Sequence, residues 1–101
     1  MKSLFDQISY ASSKMVTKAY STSFSLGILF LEKEVRKPIY NIYGFVRFAD
    51  EIVDSFQGYD KENLLARFKA DTITAIEDKI SLNPILNSFQ EVVHQYNIPW
   101  E

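Results

Sequence analysis

The chain has 101 residues, 47% hydrophobic and 15% aromatic, with a formal net charge of −2. That much apolar material excludes a disordered segment. Scattered Lys and Arg, with only Lys33, Arg36 and Lys37 loosely grouped, exclude a nucleic-acid surface, and the absence of cysteine excludes disulfides, thiolate nucleophiles and Cys-ligated metal sites.

In chain order, Ser3 with Asp6 three residues on resembles a capping box opening a first helix. Phe5, Ile8, Ser12, Met15, Val16 and Ala19 then recur at helical spacing and predict its buried stripe. The cluster Ser21-Thr22-Ser23 interrupts that helix, and a short apolar stretch, Phe24 to Phe30, follows. A long helical segment is predicted from about Leu31 to Phe56, with Pro38 either kinking it or marking its start. Gln57-Gly58-Tyr59 closes it, with glycine in stop position. Asp60 is placed to cap the next helix, whose apolar stripe is Leu64, Leu65, Phe68, Thr72, Ile76 and Ile80. Asn83-Pro84 reads as cap and first residue of a further helix running through Ile85, Leu86, Phe89, Val92, Val93 and Tyr96 to a stop at Asn97. Pro99-Trp100-Glu101 resembles the first turn of one more.

No stretch alternates like a strand and none repeats, so the prediction is all-α, a helical bundle forming one domain, or part of one, over residues 1–101. The opening residues (Lys2, Asp6, Gln7, Ser9) lack the apolar core of a signal peptide, and the run Leu26 to Leu31 is too short to span a bilayer. The expectation is a cytoplasmic protein whose apolar surface allows peripheral contact with a membrane or self-association.

The chemistry is concentrated in the long helix. Tyr43, Arg47, Asp50 and Asp54 share one narrow face, because their spacings of 4, 3 and 4 residues follow the helical period. Ile42, Phe45, Val46, Phe48, Ala49, Ile52, Val53 and Phe56 make up the rest, which predicts a buried helix whose polar stripe looks into a cavity or groove. Carboxylates at i and i+4 lie about 5–6 Å apart at Cβ and repel each other unless a cation intervenes. Hard oxygen ligands suit Mg²⁺, completed by waters and phosphate oxygens. Arg47 can fork onto a phosphate or hold Asp50 or Glu51. The competing reading is an ordinary solvated face carrying Arg–acid pairs.

The stretch Tyr43-Gly44-Phe45-Val46-Arg47-Phe48-Ala49-Asp50-Glu51-Ile52-Val53-Asp54 resembles the first aspartate-rich motif of squalene and phytoene synthases. Upstream, Ser21-Thr22-Ser23-Phe24 resembles the Ser-x-Ser-Phe segment of the same family. The resemblance implies the amino-terminal portion of an isoprenoid-synthase-type fold and a Mg²⁺-dependent head-to-head condensation of two prenyl diphosphates, farnesyl or geranylgeranyl. One substrate loses diphosphate, the double bond of the second attacks the resulting cation, and a cyclopropylcarbinyl diphosphate forms and rearranges. By the same resemblance Asp50 and Asp54 hold the metal, Arg47 and Tyr43 line the diphosphate site, and Ser21, Ser23 and Phe24 meet the substrate. Glu51 stands where the family usually has Asp. The second Asp-x-x-x-Asp of the family is absent from these residues, so this chain alone is expected to be inactive. A non-catalytic helical assembly module of the same fold is the alternative.

His94, the sole histidine, is expected at the surface or in a capping role, and Tyr40 and Phe45 in the core.

Overall fold

The computed structural model describes residues 1–100, with five α-helices and no strand among them: α1 Lys2–Tyr20, α2 Thr22–Ile28, α3 Lys33–Asp54, α4 Lys61–Asp78 and α5 Pro84–Gln95. The all-α expectation holds. Three of the boundaries are fixed by side chains that the sequence exposes to view. Ser21 ends α1 and caps α2, its hydroxyl accepting from the Phe24 amide at 3.1 Å. Asp60 accepts from the Asn63 amide at 3.1 Å, and Asn83 accepts from the amides of Ile85 and Leu86 at 3.0 and 3.3 Å ahead of Pro84. Helix α5 closes in a Schellman turn: Asn97 has φ 52° and the Ile98 amide reaches back to the Val93 carbonyl at 2.9 Å.

Several expectations are corrected. Helix α1 starts at Lys2 without a side-chain cap, so the Ser3–Asp6 box does not form. The Asp6 carboxylate takes Lys2 Nζ and Asn87 Nδ2 instead, each at 2.9 Å. The buried face of α1 is Ser9, Ser13, Val16 and Thr17, whereas Ile8 is 49% and Met15 67% exposed. The cause is close approach. A Cβ on Gly44 of α3 would lie 3.0 Å from both Cβ and Oγ of Ser13, so only small side chains fit between α1 and α3. Their hydroxyls are satisfied locally, Ser9 and Thr17 donating to the carbonyls of Phe5 and Ser13 at 2.9 Å, while Ser13 and Ser88 bond at 2.5 Å.

Asn87 of α5 ties this seam together. Its Nδ2 also donates to Ser9 Oγ at 3.0 Å, and its Oδ1 accepts from the Ser81 amide and Gln90 Nε2, both at 3.3 Å. The apolar core gathers Ile28, Tyr40, Ile52, Ile76, Leu86, Val92 and Val93. Phe45 stacks between Phe89 and Phe68, with ring centroids 3.8 and 5.4 Å away, which joins α3 to α5 and α4. His94 is half-buried and takes the capping role expected of it, its Nε2 donating at 2.7 Å to the carbonyl of Ile76, one of the last four of α4.

Helix α3 runs from Lys33 through the buried Pro38 to Asp54, shorter at both ends than predicted. It is not buried all round. Val46 and Val53 are 46% and 54% exposed, since α1, α4 and α5 cover only the side carrying Tyr40, Asn41, Gly44 and Ile52. Ile80 falls outside α4 and is exposed. Pro99 and Trp100 form no helical turn, and Glu101 lies outside the described residues. Phe30, Leu82 and Leu26 are among the large apolar side chains left open to solvent. Among the described residues no helix is long and apolar enough to cross a membrane.

Candidate functional site

The four residues of the predicted stripe stand on the single continuous helix α3. Asp50 and Asp54 are exposed, Asp50 with 58% of its side chain open, and no described element covers them. They face solvent, and the expected internal cavity is not formed by residues 1–100.

Tyr43 and Arg47 are half-buried, because the hinge between α1 and α2 folds over them. Phe24 stacks on Tyr43 with ring centroids 4.5 Å apart and planes 22° from parallel. The Arg47 guanidinium carbon lies 4.4 Å from the centre of the Tyr20 ring, close enough for a cation–π contact. The two stretches recognised separately in the sequence, residues 21–24 and 43–54, are thus joined by the Phe24–Tyr43 stack, with a second aromatic contact from the adjacent Tyr20. Within the hinge, the Ser21 oxygen is spent on its cap and half-buried, while Ser23 is exposed in the first turn of α2.

The acids do not behave alike. Arg47 Nη2 donates to Glu51 Oε2 at 2.7 Å, whereas its Nη1 stands 3.8 Å from Asp50 Oδ2. Glu51 shows 18% of its side chain to solvent. The Ser55 hydroxyl, foremost, and then the Tyr20 hydroxyl and Arg47 hold its carboxyl below the ordinary value of 4.5, against the opposing effect of burial. Glu51 in turn pushes the Tyr20 phenol above 10.0, with burial adding to the rise and Arg47 opposing it. The sequence reading missed Tyr20. It carries no local signal, since only the tertiary fold sets it against a residue 27 positions later.

Among the described residues no group of three or more His, Asp or Glu converges to hold a metal. What is present is a pair of carboxylates one turn apart, free of strong internal partners. Such a pair fits an octahedral cation that keeps most of its waters and takes one or two protein carboxylates, as Mg²⁺ does.

The family model of squalene/phytoene synthase matches residues 17–101. No curated protein and no solved structure matches the chain. The matched span begins at the end of α1 and includes the hinge, the whole of α3 and both later helices.

Proposed function

The chain belongs to the squalene/phytoene synthase family, enzymes that condense prenyl diphosphates head to head, and from that premise we propose that the exposed face of α3 is its diphosphate-binding face in a Mg²⁺-dependent condensation of farnesyl or geranylgeranyl diphosphate. The observation that carries the reading is the convergence of the Tyr20–Phe24 hinge on Tyr43 and Arg47, beside two exposed carboxylates. Asp50 and Asp54 are the residues that would hold Mg²⁺. Bound there, the metal supplies positive charge that neutralises a diphosphate and makes it a better leaving group.

The protein's own residues have distinct tasks. Arg47 has N–H groups beyond the one given to Glu51, and its planar fork suits diphosphate oxygens. The stacked Phe24–Tyr43 pair offers an apolar aromatic wall beside that anion site, suited to the first isoprene unit of a prenyl chain. Ser21 and Ser23 lie one turn away on the same hinge and can donate hydroxyl hydrogens to the substrate head. We assign the protein to the cytoplasm, with peripheral membrane contact supported by its exposed apolar side chains. The alternative, a non-catalytic assembly module, draws on Val46 and Val53 exposed beside the acids.

Calorimetric titration of the protein with inorganic diphosphate, with and without Mg²⁺, tests the site. Binding is expected only with Mg²⁺, and to be lost in Asp50→Asn and Asp54→Asn. Metal-independent binding, or binding untouched by both substitutions, would refute the assignment.

A further inference from the structure

Glu51 follows Asp50 directly, and an acid triplet on one helix invites the reading of three metal ligands. The geometry divides them. Successive residues on a helix point about 100° apart, so Glu51 leaves the Asp50–Asp54 face and turns toward α1. There its Oε2 receives Arg47 at 2.7 Å, and 18% of its side chain is open to solvent against 58% for Asp50. Neutralised by the guanidinium and partly buried, Glu51 is less available to a cation than the exposed Asp50 and Asp54. The guanidinium is gripped on two sides, by the Glu51 oxygen at its edge and the Tyr20 ring at its face, 4.4 Å from the centroid. Its contact with Asp50, at 3.8 Å, is too long for a strong hydrogen bond.

We infer that Glu51 is a positioning residue, which with Tyr20 clamps the Arg47 guanidinium for diphosphate and takes no part in holding the metal. The inference rests on the site reading above, in which Arg47 meets the diphosphate. Without the clamp Arg47 would be free to swing toward Asp50 and Asp54, cancelling the charge those carboxylates offer a cation. Clamped, it stands beside them and is pre-ordered for an anion.

Charge alone predicts that Glu51→Gln strengthens anion binding, because it removes a negative charge next to the site. Positioning predicts the reverse, so the sign of the change decides. The protein and its Glu51→Gln, Tyr20→Leu, Arg47→Lys and Asp54→Asn variants are titrated with inorganic diphosphate at saturating Mg²⁺, and with Mg²⁺ at fixed diphosphate. The side-chain resonances of Arg47 are followed by NMR for the ring-current shift from Tyr20. Glu51→Gln is expected to weaken diphosphate binding on the order of tenfold, the worth of one charge-assisted hydrogen bond. It should leave the Mg²⁺ midpoint where it was and abolish the Arg47 shift. The double variant Glu51→Gln/Arg47→Lys should lose little beyond Arg47→Lys, since both act through one group. Tighter diphosphate binding in Glu51→Gln, a Mg²⁺ midpoint displaced as in Asp54→Asn, or an unchanged Arg47 resonance would each overturn the inference. Absence of diphosphate binding by the unaltered protein would overturn the site reading itself and the clamp's purpose with it. The Arg47 resonance would then still report separately whether Glu51 holds the guanidinium.

Discussion

Helix α3 meets α1 and α5 through Gly44, Ser13 and Ser88 on one side and leaves Asp50 and Asp54 in water on the other. Along the first side polar atoms are common, and nearly all are paired. Ser9, Ser13, Thr17, Asn87 and Ser88 are fully buried and each has a hydrogen-bond partner, while among the described residues Asn41 Oδ1 and Glu91 Oε2 are the buried side-chain atoms left without one. Along the second side full charges stand with at most one distant partner. The difference separates polar groups that hold the fold from those available to a ligand. A buried hydroxyl must find its partner within the protein, whereas an exposed carboxylate can wait for one from outside. Arg47 and Glu51 sit at the border between the two sides, and belong to both.

The largest effect that sharpens this contrast is catalytic. Under the proposed function, Asp54→Asn in the full-length protein should lower product formation from farnesyl or geranylgeranyl diphosphate by about a hundredfold or more, the scale of several kcal/mol that a bound metal contributes. Its thermal midpoint should be unchanged, because nothing in the fold leans on that carboxylate. A lowered midpoint would break the comparison. Asn87→Leu should do the opposite and destabilise the fold by about 3 kcal/mol in urea, since it strips partners from Asp6, Ser9, the Ser81 amide and Gln90 at once. Gly44→Ala comes next, at about 2 kcal/mol, because the new methyl meets Ser13 at 3.0 Å and the Ser13 Cα at 3.1 Å. Ser13→Gly in the same chain should recover part of that loss.

The smallest effect is a pH dependence on the buried side. Hydrogen bonds from Lys2 and Asn87 outweigh burial and hold the Asp6 carboxyl below its ordinary 3.8. A lowered folded value means that Asp6 stabilises the protein at neutral pH and that the contribution fades as pH falls below about 4. Asp6→Asn should therefore flatten the acid limb of a urea-midpoint-against-pH curve. An acid limb identical in the variant would remove Asp6 from the seam's electrostatics.

Legibility followed the range of the interaction. Ser21, Asp60, Asn83-Pro84 and Asn97 were readable because a cap binds its own neighbours, within four residues. The stripe on α3 was readable for the same reason, its spacing being a property of one helix. The buried face of α1 was not. Apolar periodicity pointed to Ile8 and Met15, while packing chose Ser9 and Ser13, because the fold values close approach to Gly44 above apolar area at that seam.

The sequence by itself determined four of the five helices, the caps at Ser21, Asp60 and Asn83, and the placing of Tyr43, Arg47, Asp50 and Asp54 on a shared line, all consequences of backbone geometry acting over a turn or two. Only the tertiary structure decided that Phe24 stacks on Tyr43, that Tyr20 lies under Arg47, and that Glu51 turns away from its acidic neighbours to hold that arginine. Those contacts join residues of α1 and α2 to α3 across long stretches of chain. Their partners are set by how the helices pack, which no local spacing encodes.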